Sequence, residues 1–216
     1  MTTRLRRLAL ALPLLLATAA FSPAPAEGPA QPPPGGIDDI RVSRRGDLFR
    51  IEVDLHTAAP PAIAWEVLTD FERMASFIPN LERSRVVARD GRQLRVEQQG
   101  RAWFGPFSLT FGSTREIELV PQQEIRARQL AGTARALNST MRLQADGSGT
   151  RLEYRAEVTP DGGLLTALLG PAAIRHELAE QFAAILWEIA RRDGLAKGIA
   201  GRSGAPPSDG GQRPPL

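Results

Sequence analysis

The residue types that most often do catalysis are sparse in this chain and badly spaced for it. There are two histidines, His56 and His176, and no cysteine. A zinc site needs three or four His, Cys or carboxylate ligands at short, defined spacings. His56 closes an alternating segment, and His176 sits between Arg175 and Glu177 with no second histidine in reach. No metal site and no cofactor are therefore expected, and both histidines read as surface groups. No Gly-x-Ser-x-Gly elbow is present, which argues against the nucleophile of an α/β-hydrolase. Gly162-Gly163 and Gly147-Ser148-Gly149 read as turns, because neither opens a phosphate loop ending in lysine. Asn138-Ser139-Thr140 spells a glycosylation sequon, but it falls inside a strand-like segment and reads as chance.

What remains is chemistry of binding. Gln98, Gln129 and Tyr154 each share a strand face with apolar neighbours, so they are the candidate polar contacts of an otherwise greasy site. Trp103, Phe104, Phe107, Leu109, Phe111 and Met141 supply apolar bulk from the same strand-rich region, and Leu178 and Phe182 supply it from a C-terminal helix. Phe77 adds to it from a short helix. This set is either ordinary core or the lining of a ligand cavity, since ligand pockets are mostly apolar with a few placed polar groups. A second apolar feature is Gly162–Gly170, where Leu164, Leu165, Leu168 and Leu169 lie between glycines. It reads as a helical turn packed on the core, or as a lid or membrane-touching foot with glycine hinges.

The elements that position these residues follow from periodicity. Ile51, Val53 and Leu55 alternate with Arg50, Glu52 and Asp54, as in a half-buried strand. Pro60-Pro61 ends it, and Pro61 suits the first turn of a helix carrying Ile63, Val67 and Leu68. A second short helix carries Met74, Phe77 and Ile78. Strands follow around turns at Asp90-Gly91, Pro121–Gln123 and Asp146–Gly149. One of them holds Arg115, Ile117 and Leu119 on one face. In Arg151–Val158, Leu152, Tyr154, Ala156 and Val158 face in, and charges of alternating sign face out. The final element is a long helix from Gly170-Pro171 to Asp193-Gly194. Ile174, Leu178, Phe182, Ile185 and Ile189 form its apolar stripe, and Arg191 and Arg192 occupy its expected last turn.

Two runs carry a family resemblance: Pro60–Phe71, with Trp65-Glu66-Val67-Leu68-Thr69-Asp70-Phe71 at its end, and Phe77–Ser84, beginning Phe-Ile-Pro-Asn-Leu. Over about residues 46–192 the chain resembles the START-like (SRPBCC) helix-grip superfamily, the polyketide cyclase/dehydrase and lipid-transport group, and within it the coenzyme Q-binding branch. The resemblance implies an α+β fold. A curved antiparallel sheet of six to seven strands would wrap a long C-terminal helix, with two short helices after the first strand and a ligand cavity between sheet and helix. It implies a hydrophobic small-molecule partner: a quinone, isoprenoid, fatty acid or phospholipid. Relatives that are polyketide cyclases leave an enzyme open as the alternative, with Tyr154, Arg128 or Glu97 as its polar group. A partner-binding module of the envelope, with a filled core, is the third reading.

The ends of the chain speak to location. Arg4, Arg6 and Arg7 precede the apolar run Leu8–Ala20 and the small residues Ala24-Pro25-Ala26, a secretory signal pattern over residues 1–26. Export to a bacterial periplasm is expected, with tethering by an uncleaved segment as the alternative. Residues 27–45 are expected to form a Pro/Gly-rich linker, 46–193 the domain and 194–216 a disordered tail. The three signal arginines account for the whole formal charge of +3. The remainder is balanced and has no global field to attract nucleic acid. With no disulfides, the core alone must hold the domain. The oligomeric state is not encoded in these features.

Overall fold

The computed structural model describes residues 35–104, 107–161 and 170–203, without the side chains of 102–109 and 198–203. Eight strands form one antiparallel sheet: β1 (Gly35–Arg45), β2 (Leu48–Thr57), β3 (Leu81–Asp90), β4 (Gln93–Phe104), β5 (Phe107–Val120), β6 (Glu124–Gly132), β7 (Ala134–Asp146) and β8 (Gly149–Pro160). Their spatial order is β1-β2-β8-β7-β6-β5-β4-β3. Helix α1 (Pro61–Thr69) and a 3-10 turn (Met74–Ser76) connect β2 to β3, and α2 (Pro171–Ser203) follows the sheet. This is the helix-grip α+β arrangement.

The local chemistry explains the elements. In β2 the residues Ile51, Val53 and Leu55 are buried while Arg50 and His56 are exposed, so period two holds. Pro61 opens α1, and Ala64, Val67 and Leu68 are its buried face. Gly91 and Gly147 take φ of 54° and 59°, the left-handed geometry that tight hairpins need. Register shifts interrupt four of the ladders, between Ile37/Asp39, Leu81/Arg83, Thr114/Arg115 and Ala134/Ala136, with another at Val86/Ala88. Each extra residue bends its strand and re-aims nearby side chains.

Several expectations need correction. Residues 35–45, assigned to the linker, are instead an edge strand paired with β2 along its length, Gly35 opposite Thr57 and Arg45 opposite Leu48. Ile37, Ile40 and Val42 pack on the core, a pattern masked by the polar residues around them. The sheet thus has eight strands, and the helical connection follows the second. The second short helix is one 3-10 turn. The long helix does not stop at Gly194 but continues through Ser203. Arg192 consequently lies well inside it. Its guanidinium is buried and donates to Glu188 Oε1 at 2.7 Å, to Asp70 Oδ2 at 2.7 Å and to Glu66 Oε1 at 3.0 Å. The role is a clamp between α1 and α2, not a complement to a helix end.

Candidate ligand-binding cavity

Helix α2 is used in two ways. Leu186 and Ile189 are fully buried near its middle. In the first half, Ile174, Leu178, Phe182 and Ile185 line a cavity of about 460 Å³ between the helix and the sheet. Spacings of four, four and three put these residues on one face. The opposite walls come from Phe49 and Ile51 of β2, Phe111 and Ile117 of β5, Ile125 of β6, and Met141 of β7. Leu68, Phe71, Met74 and Ile78 close one end. Phe111 has room because Gly100 faces it across the β4–β5 ladder. A Cβ at Gly100 would collide with the Phe111 ring and with the Asn80 carbonyl oxygen. Tyr154 and Phe182 join sheet to helix, with ring centroids 5.3 Å apart and planes tilted by 60°. Such pairs contribute about 1 kcal/mol beyond their buried area.

The polar groups gather on the β4–β5–β6 wall and at Tyr154. Arg115 lines the cavity and donates through Nη2 to Gln98 Oε1. Gln98 Nε2 in turn donates to Ser84 Oγ at 3.1 Å. The Arg115 Nε is buried and has no acceptor. Gln129, opposite Arg115 across a ladder irregularity, donates to the Ala134 carbonyl. Burial pushes the Arg115 guanidinium below the usual arginine value, and Tyr154 opposes that shift. Burial pushes the Tyr154 phenol up, against the pull of Arg115 and a hydrogen bond with Ser139. Tyr154 is therefore a neutral phenol at physiological pH, and arginine keeps its proton in any protein environment.

With the cavity defined, comparison with known proteins is decisive for the family. The family model described as "Polyketide cyclase / dehydrase and lipid transport" matches residues 57–182, more than half of the chain. The chain belongs to that family. Among solved structures, TTHA0849 of Thermus thermophilus is similar at 19% identity with a TM-score of 0.57, over 68% of this chain and 98% of that one. The Zhui aromatase/cyclase of Streptomyces sp. R1128 is 22% identical with a TM-score of 0.54, over 67% and 95%. A STAR-related lipid transfer protein fragment from Xanthomonas axonopodis is 10% identical with a TM-score of 0.56, over 71% and 99%. At such identities the likeness shows the fold alone. No curated protein matches the sequence.

In this member of the cyclase/dehydrase and lipid-transport family, the polar candidates Gln98, Gln129 and Tyr154 come together in the cavity. So do the apolar candidates Phe111, Met141, Leu178 and Phe182. Phe77 does not. Ile78 bonds back to Met74 (N to O, 2.9 Å), and these two side chains line the cavity while Phe77 packs against the core beside them. The side chains of Trp103, Phe107 and Leu109, and the leucines Leu164, Leu165, Leu168 and Leu169, lie outside the described residues. Arg128 and Glu97, considered as catalytic groups, are on the other face of the sheet. Arg128 pairs with Glu116 at 3.0 Å and Glu97 with Arg85 at 2.9 Å. That face carries a shallow depression of about 660 Å³ whose arginines and carboxylates largely satisfy one another. His56 faces Asp38 at 2.7 Å and His176 faces Glu180 at 3.3 Å, both on the surface. Among the described residues no cluster of three metal-ligating side chains occurs.

Sequence reasoning placed Arg115 on a face with Ile117 and Leu119 but did not draw the consequence. A charged residue at an inward position of an alternating strand was the available signal. Ser139 was missed because only its cross-strand neighbours, Ala127 and Ala156, reveal which face it takes.

Proposed function

We propose that this protein is an exported carrier of a hydrophobic small molecule such as a lipid, isoprenoid or quinone. One observation carries the reading: the apolar cavity of about 460 Å³ between the first half of α2 and the sheet. That volume lies within the roughly 300–1,000 Å³ range of small-molecule sites. The driving force is burial of ligand hydrocarbon, worth about 25 cal/mol per Å². The family description, which includes lipid transport, supports the class of ligand. Export rests on the basic and apolar pattern of residues 1–26. Among the described residues no helix is long and apolar enough to cross a membrane.

The test is uptake of the neutral apolar dye Nile red, followed by displacement with a total lipid extract. Saturable uptake at one dye per chain, reversed by the extract, is the expected result. Dye that stays in solution at micromolar protein contradicts the reading.

An enzyme of the cyclase/dehydrase type is favoured by one observation, the placement of the Tyr154 phenol and the Arg115 guanidinium in the lining of the same cavity. These are donors that stabilise charge developing on oxygen. Saturable turnover of an added poly-carbonyl substrate separates enzyme from carrier. The envelope module with a filled core is disfavoured by the cavity itself.

A further inference from the structure

The charge inventory of the cavity is lopsided. Arg115 is the one ionised group among the described residues that line it. None of those residues is an aspartate or glutamate, and the sequences of 102–109 and 162–169 contain no acid either. Arg115 makes no ion pair among the described residues. Its one side-chain partner is the neutral amide of Gln98, and its Nε is sealed without an acceptor. Glu177, which is bonded to the lining residue Gln181, is occupied by Asn80 Nδ2 at 3.0 Å and Gln181 Nε2 at 3.1 Å.

Such an arrangement is costly for an empty protein. Arg115 is half-buried with its Nε sealed from solvent. A charge desolvated beside apolar walls with no opposite charge is unfavourable, and a lysine would escape that cost by losing its proton. Arginine does not titrate in this range, so the charge persists and needs an anion from elsewhere. The outer face of the sheet shows the contrast, because there Arg50, Arg126 and Arg128 pair with Glu157, Glu118 and Glu116 of neighbouring strands. The other polar groups at the site add donors. Tyr154 remains a protonated phenol, and the Ser139 hydroxyl lines the same cavity.

We infer that the cavity takes an amphiphilic carboxylate, a fatty-acid-like molecule whose head pairs with Arg115 and whose chain lies along the apolar face of α2. This rests on the hydrophobic-carrier reading above and narrows its ligand class. A carboxylate carries one negative charge and two coplanar oxygens that match the guanidinium fork. A phosphate monoester carries nearly two charges at neutral pH. A single arginine would leave much of that second charge buried and uncompensated. Neutral quinones and isoprenoids would leave Arg115 as it stands now, without an anion.

The experiment compares dodecanoate with 1-dodecanol on the wild-type protein, each displacing Nile red. The comparison is then repeated on Arg115→Met and Arg115→Gln. Wild type is expected to prefer the carboxylate by about tenfold or more, the scale of a charged hydrogen bond. In Arg115→Met and Arg115→Gln that preference for the acid over the alcohol is expected to disappear, and a preference kept in either folded variant would overturn the assignment to Arg115. Equal affinities for acid and alcohol in wild type would overturn the head-group inference and leave the carrier reading standing. No uptake of dye, acid or alcohol would overturn both. The wild-type comparison needs no variant, so it decides the point even if a substitution at Arg115 prevents folding.

Discussion

Lengthening the alkyl chain of a bound carboxylate by one methylene should tighten binding about fourfold until the cavity is full. Burying a methylene contributes about 0.8 kcal/mol, which is a factor of about four in affinity. The stopping point comes from the volume. Unfilled apolar cavity costs about 24 cal/mol per Å³, so one methylene's 0.8 kcal/mol corresponds to about 30 Å³. A cavity of 460 Å³ then holds a chain of roughly 15 carbons. The assay is Nile red displacement across saturated carboxylates from C8 to C20, kept below their aggregation limits. The expected plot of log affinity against length rises steeply and breaks near C14 to C16. A flat plot would show that the chain is not buried. An unbroken rise through C20 would show adsorption to an open surface, and either result refutes a cavity of finite volume that the chain fills.

Three other outcomes follow from named contacts. Leu178→Trp fills cavity space from α2; it should weaken Nile red binding at least about tenfold while costing less than about 1 kcal/mol in urea unfolding, because the ring enters space rather than packed core. Arg192→Met removes the buried clamp between Glu188, Asp70 and Glu66. It should cost about 3 kcal/mol, and a loss below about 1 kcal/mol by urea titration would remove the clamp from the account. Glu188 is held at about 2, below its ordinary 4.5, chiefly by the hydrogen bond from Arg191 and also by Arg192, against the opposing effect of burial. Its contribution is therefore complete above pH 4.5 and is lost as pH falls from 4.5 toward 2. The stability advantage of wild type over Glu188→Gln should shrink over that interval, and an advantage constant from pH 6 to pH 2.5 would contradict the assignment.

The fold was legible where periodicity is strong. Ile51, Val53 and Leu55, the Asp90-Gly91 hairpin and the Ile174–Ile189 stripe each announce their element, because burial on one face leaves a period that neighbouring residues cannot hide. Strand β1 was not legible. Gly35-Gly36 and the prolines before them read as linker, and the inward residues Ile37, Ile40 and Val42 break strict alternation where the register shifts. The helix end was missed because Gly194 is tolerated inside α2, where local propensity is a weak constraint. The cavity's composition was readable residue by residue, but its emptiness was not. Whether Phe111, Met141 and Phe182 meet one another or enclose a space depends on how far α2 stands from the sheet. No sequence period reports that distance. Arg115 shows the limit most clearly: its inward position was visible in β5, while its lack of a counterion among the described residues emerged only once the neighbouring strands were in place.

The central claim is that the cavity is occupied in the cell by a hydrophobic carboxylate. Native mass spectrometry of the protein purified without detergent from its own host, followed by organic extraction and negative-ion analysis, tests this most directly. The account predicts one ligand per chain, released as a long-chain carboxylate and absent from Arg115→Met prepared in the same way. A clean unliganded mass, with no uptake from added total lipid, would contradict it.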